Sequence, residues 1–148
     1  MIELDKWDER FIRMAEHIST WSRDPSTQVG SVIVRPDKTI ASLGFNGLPR
    51  HIADTPERLH DRDLKMKIII HAETNSILNA REPLTGFTIY VFPFHPCSAC
   101  AAAIIQAGIK RVVCPVNDCP RWAANFELAR MMFAEAGVAV DMIDTPII

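Results

Sequence analysis

Gly86-Phe87-Thr88-Ile89-Tyr90-Val91-Phe92-Pro93-Phe94-His95-Pro96-Cys97-Ser98-Ala99-Cys100 reads as a buried strand running straight into a helix. The strand is the β-branched and aromatic run Phe87 to Phe92, introduced by Gly86. Ala101 to Ala107 continue the helix and Gly108 closes it. Cys97 and Cys100 stand three positions apart. With Pro96 opening the helix, their sulfurs rise on one face and can grip one ion. Unpaired backbone N–H groups at a helix start also favour thiolate over thiol, and thiolate is the form that binds zinc.

Upstream, His71-Ala72-Glu73 supplies an imidazole and a carboxylate. Two positions apart on a regular helix, these side chains point to different sides. Both can reach one ion only if His71 stands at the very start of its helix. The run Ala72 to Ala80 supports that helix, with Ile77 and Leu78 expected as core contacts. One imidazole and two thiolates leave one tetrahedral position open on a zinc ion, and water held there is acidified to a pKa of about 7. Glu73 is then the proton carrier rather than a ligand. It takes the water proton, delivers it to a ring nitrogen of an aminopyrimidine or aminopurine, and helps the amine leave as ammonia. A structural zinc with His95 or Cys114 as fourth ligand is the competing reading of the same residues.

The rest of the chain alternates elements. Trp7, Phe11, Met14, Ala15 and Ile18 recur at helical spacing after Asp5, an N-cap residue, which predicts an amphipathic helix near 5–21. Ser31 to Val34 and Thr39 to Phe45 flank Pro36-Asp37-Lys38 as a β-hairpin. The polar stretch Asn46 to Lys67 reads as a long functional loop with a helical turn near Pro56-Glu57-Arg58. Arg111 to Cys114 and Val138 to Ile143 read as strands, with a helix from Arg121 to Glu135 between them. This alternation predicts one three-layer α/β domain over residues 1–148.

Composition narrows the function classes. A net charge of −2 gives no electrostatic footprint for nucleic acid. No stretch is long enough to span a bilayer, so no membrane role is expected. Four cysteines, two of them assigned to zinc, suit a reducing, cytoplasmic setting better than a disulfide framework. Cys114 reads as a buried strand-end residue and Cys119 as a turn residue before Pro120.

The ordered pair His71-Ala72-Glu73 and Pro96-Cys97-Ser98-Ala99-Cys100 resembles the cytidine/deoxycytidylate deaminase family. Asp24-Pro25-Ser26-Thr27-Gln28-Val29-Gly30, Gly44-Phe45-Asn46-Gly47-Leu48-Pro49-Arg50 and His71-Ala72-Glu73-Thr74-Asn75 look like the deoxycytidylate branch of that family. The resemblance runs from about Phe11 to Val116. It implies a cytidine deaminase-like α/β/α fold with a five-stranded mixed sheet, one catalytic zinc per chain and a homo-oligomer. The implied reaction is conversion of dCMP and water to dUMP and ammonia. The alternatives are a deaminase of the same fold acting on another cytosine compound, a modified cytidylate or a tRNA adenosine, and a non-catalytic zinc-stabilised interaction domain.

By the same resemblance, Asn46 bonds the bound nucleotide and the Ala72 backbone meets the base edge. A nucleotide also needs a phosphate site, for which Arg23, Ser26, Thr27 and Arg50 offer guanidinium forks and hydroxyls. Arg121 and Trp122 could close over the site, although Trp122 reads first as a packing anchor. His51 follows Arg50 where the family pattern has glycine. This substitution predicts that the triphosphate control seen in such enzymes is absent here.

Overall fold

The computed structural model describes residues 5–144. Helix α1, Lys6–Ser19, begins at the expected N-cap, with the Asp5 carboxylate accepting the Asp8 backbone N–H at 2.7 Å. Strands β1, Gly30–Val34, and β2, Ile40–Phe45, form the expected hairpin. Its turn closes through Asp37, whose carboxylate accepts the Thr39 backbone N–H.

The stretch 46–67 departs from expectation. It carries two short helices, α2, Pro56–His60, and α3, Arg62–Ile68, instead of a single turn. Thr55 and Asp61 cap them by accepting N–H groups three residues on. A charged residue, Lys65, occupies the buried face of α3, so the apolar spacing that marks a helix is missing.

Helix α4, Ala72–Asn79, follows, then strand β3, Thr88–Phe92, and helix α5, Ser98–Gln106. Strand β4, Arg111–Pro115, helix α6, Ala123–Ala136, and strand β5, Ala139–Ile143, complete the order.

The five strands make one mixed sheet in the order β2-β1-β3-β4-β5. Strand β1 runs antiparallel to β2 and β3, while β3, β4 and β5 are parallel. Alternating strand residues divide the core into two layers. Val32, Val34, Tyr90 and Val113 meet Phe11, Ile12 and Ala15 of α1 on one face. Ile33, Ile89, Val91 and Val112 meet Ala101 and Ile104 of α5 and Ala129 and Phe133 of α6 on the other. Helix α4 packs beside α5 on this second face.

Two glycines let helix backbones sit directly on strands. A Cβ at Gly30 would lie 2.1 Å from the Ala15 carbonyl of α1, and one at Gly44 would lie 2.5 Å from the Ser76 nitrogen of α4. Leu78, expected in the core, is instead 61% exposed, because α4 buries Ala72, Glu73 and Ser76 against the sheet. Ile77 is partly buried against the core as expected. His51 has a φ of +70°, so its backbone holds the left-handed shape that glycine favours.

Candidate active site

The three proposed donors meet at the N-termini of two adjacent helices. His71 is the N-cap of α4 and Cys97 the N-cap of α5, and neither side chain caps its own helix. Each gives up the usual capping bond and turns toward the other helix. His71 Nδ1 lies 3.4 Å from Cys97 Sγ and 3.4 Å from Cys100 Sγ. All three donor atoms fall within 4.8 Å of one another, and they are the one such His/Cys/Asp/Glu group among the described residues.

This donor set fits zinc. Tetrahedral bonds of about 2.3 Å to sulfur and about 2.0 Å to nitrogen put those atoms about 3.6 Å apart. The observed separations lie close to that value. His95 and Cys114 stay outside the group: His95 Nδ1 pairs with the Pro96 carbonyl at 2.7 Å, and Cys114 is buried in β4. Cys119 packs at the edge of the cluster formed by Cys97, Cys100 and Phe126.

Electrostatics separate the two thiols. A hydrogen bond from Cys100, reinforced by His71, holds the Cys97 thiol well below its ordinary range. The same hydrogen bond and burial push Cys100 up. The Cys97 contact raises the His71 imidazole.

Glu73, the second residue of α4, is only 5% exposed. It forms no ion pair among the described residues. Burial pushes its pKa up to about 7, with His71 opposing the shift. A carboxylate so placed can both accept and return a proton near neutral pH.

A cavity opens over these groups, and His71, Ala72, Glu73 and Cys97 form its floor. Trp122, at the N-cap of α6, stacks on Phe126 at 6.0 Å and meets the His71 ring edge-on at 6.5 Å. It is therefore a packing anchor and a wall of the site at once. Ser26, Thr27 and Asn46 line the opposite side. Asn46 is heavily committed to its own chain: its Oδ1 accepts the Val29 N–H at 2.9 Å, and its Nδ2 donates to the Thr27 carbonyl at 2.9 Å.

Two of the expected phosphate contacts do not line this cavity. Arg23 is 73% exposed and pairs with Asp54 at 3.7 Å. Arg50 reaches Asn79 at 3.3 Å and borders a separate groove behind β2 and α4. The cations on the cavity wall are instead Arg62, Lys65 and Arg121. Arg62 and Lys65 stand on α3, whose sequence lacks the apolar spacing of a buried helix; only the four-residue steps Arg62 to Met66 and Lys65 to Ile69 point to one helical face over the cavity.

Residues 5–116 match the family model described as the cytidine and deoxycytidylate deaminase zinc-binding region. A protein of Aliivibrio fischeri named as an uncharacterized deaminase in the luxG 3′ region is 42% identical over 148 residues, covering 98% of this chain and 99% of its own. The deoxycytidylate deaminase of Homo sapiens is 37% identical over 139 residues, covering 90% of this chain and 77% of its own. The crystal structure of the dCMP deaminase from cyanophage S-TIM5 in complex with dCMP and dUMP superposes with a TM-score of 0.76. It is 21% identical and covers 96% of this chain and 100% of its own, a likeness of fold.

Proposed function

This chain belongs to the cytidine and deoxycytidylate deaminase family, and from that membership we propose that it is a zinc-dependent hydrolase converting dCMP to dUMP and ammonia. The observation that carries the reading is Glu73: a buried carboxylate without an ion-pair partner, beside a three-donor metal site on the floor of one cavity. A purely structural zinc has no use for such a group.

His71, Cys97 and Cys100 would hold the zinc. Bound there, the ion supplies Lewis-acid charge that makes water a competent nucleophile at neutral pH. Glu73 accepts one proton of the attacking water at its carboxylate and returns it to the ring nitrogen next to the reacting carbon; it then takes that water's second proton from the new hydroxyl and delivers it to the departing amine, which leaves as ammonia. The Ala72 backbone, at the first turn of α4, meets the base edge. Asn46, with a lone pair left on Oδ1, accepts a hydrogen bond from the sugar while holding the 27–29 backbone in place. Ser26 and Thr27 with Arg62 and Arg121 receive the phosphate, because hydroxyls and guanidinium forks suit a dianion. The exposed Arg23 and Arg50 fall outside this assignment.

We take residues 1–148 to act as one deaminase domain in the cytoplasm. The four cysteines are free, and among the described residues no helix is long and apolar enough to cross a membrane. Leu78, Leu128 and Met131, exposed on the outer faces of α4 and α6, support assembly as a homo-oligomer.

Ammonia release from dCMP, deoxycytidine, free cytosine and a tRNA anticodon stem tests the substrate. If two charge-assisted phosphate contacts contribute roughly 1.5–3 kcal/mol each, dCMP exceeds deoxycytidine at least about a hundredfold in kcat/KM. Equal rates would transfer the assignment to another deaminase of this fold. Metal analysis should return one zinc per chain, lost in Cys97→Ser.

A further inference from the structure

Helices α2 and α3 form an arm between the hairpin and α4 that packs on no other helix or strand among the described elements. Besides the exposed Arg23–Asp54 ion pair just before α2, two attachments hold α3. At its far end the Gly47 and Ile70 backbones exchange hydrogen bonds of 3.1 and 2.8 Å. In its middle lies Lys65, whose side chain is 3% exposed although it carries a charge. Its ammonium donates to Asp24 Oδ1 at 3.0 Å and to Ser26 Oγ at 3.3 Å.

Asp24 is a hub rather than a simple counter-ion. The same Oδ1 accepts the Ser26 backbone N–H at 2.8 Å and the Thr27 N–H at 3.3 Å, and Oδ2 lies 3.5 Å from Asn46 Nδ2. One ammonium thus joins the arm to the loop that presents Ser26 and Thr27 to the cavity and, through Asp24, to Asn46 after β2. Separating them leaves two buried charges unpaired or draws water between them, so the contact behaves as a latch.

We propose that Lys65 is a positioning residue for deamination. Acting through Asp24, it holds the 24–27 loop, and α3 over it, in the shape that binds the nucleotide. This rests on the dCMP reading above. Because His71, Glu73, Cys97 and Cys100 stand on helices seated on the sheet, the latch governs binding and leaves the chemical step alone.

The test is a double-mutant cycle in the zinc-loaded enzyme with Lys65→Met, Asp24→Asn and both together. Steady-state rates on dCMP and calorimetric affinity for dUMP are measured beside the wild type. The expected result is a rise of at least about tenfold in KM in each single variant. The double variant is no worse than either, and in all three kcat stays within about threefold and zinc content is unchanged. Weaker binding in Lys65→Met, with equal or tighter binding in Asp24→Asn, would make Lys65 a direct phosphate ligand and overturn the latch. A fall in kcat at constant KM would overturn it as well.

Should a single variant fail to fold, the wild type provides a second measurement. Trypsin cleavage in the arm, at Arg58, Arg62 or Lys67, should slow several-fold with saturating dUMP, and an unchanged rate counts against the latch. Absence of dCMP turnover in the wild type would fall on the assigned reaction. Turnover with unmoved KM in the variants would fall on the latch alone.

Discussion

Asp8 and Glu73 are both carboxylates in the first turn of a helix, and both are almost without solvent, at 2% and 5% exposure. They lie on opposite faces of the sheet and have opposite fates. Arg111 clasps Asp8 through two bonds of 2.9 Å, and the Tyr90 hydroxyl adds a third at 2.6 Å. Arg111 in turn bonds Asp141 at 2.7 Å, so α1 is tied to β3, β4 and β5 through one acid. Burial would raise Asp8, but these bonds hold its carboxyl below the usual range. Glu73 has no such clasp, and burial raises it to about 7. Low exposure and a place in the first helical turn therefore do not by themselves define a role. The partner does: a buried acid clasped by an arginine braces the fold, and one without an ion pair is poised to move a proton.

The largest effect should come from Glu73→Gln. It should lower kcat by about 10²–10⁴-fold while keeping zinc and fold, since an amide cannot carry the proton. In metal-free protein at pH 8 this variant should be at least as stable as the wild type. A carboxyl whose folded pKa is raised makes the folded state less favourable once pH exceeds its unfolded value, and the amide removes that cost. Ammonia release and thermal melts decide both points. Activity within about tenfold of wild type would erase the distinction between the two acids.

Asp8→Asn should show the reverse, losing about 1.5–3 kcal/mol of stability by weakening the Arg111 clasp, which Asp141 still holds from one side, while kcat per folded molecule changes less than about twofold. Denaturant titration from pH 7 downward sharpens this. Because the folded pKa of Asp8 is depressed, its contribution is whole above the unfolded value of about 3.9 and fades as pH falls through the folded one. The wild type should weaken across that acidic window, and Asp8→Asn should lack this component.

The two glycine contacts test the same division between the faces. Gly44→Ala pushes on α4 and should cost roughly 10–100-fold in kcat, because small displacements of reacting groups are expensive. Gly30→Ala pushes on α1 and should cost roughly 1–3 kcal/mol of stability with little change in kcat. Equal kinetic effects would show that α1 also positions the chemistry. The smallest effect lies away from both faces. His51→Gly relieves a left-handed residue and, net of the extra freedom of the unfolded chain, should stabilise by about 0.5–1 kcal/mol in an equilibrium melt.

Much of this was legible in the chain. Asp5 announced α1, the Pro36-Asp37-Lys38 turn announced the hairpin, and Gly86 to Cys100 announced the strand and helix that carry two of the three candidate donors. Even the requirement that His71 begin its helix followed from its two-residue spacing to Glu73, because local geometry alone rules out other arrangements.

Residue type and spacing are properties of the chain, so the donor set, its chemistry and most elements could be read directly from it. Which charges lie over the site depends on contacts between distant segments. Lys65 meets Asp24 across 41 positions, and Arg111 meets Asp8 across 103. Arg23 and Arg50, adjacent in sequence to the right loops, turn elsewhere. A long charged side chain can reach many places, and only the packed fold, by the cost of burying it unpaired, selects one.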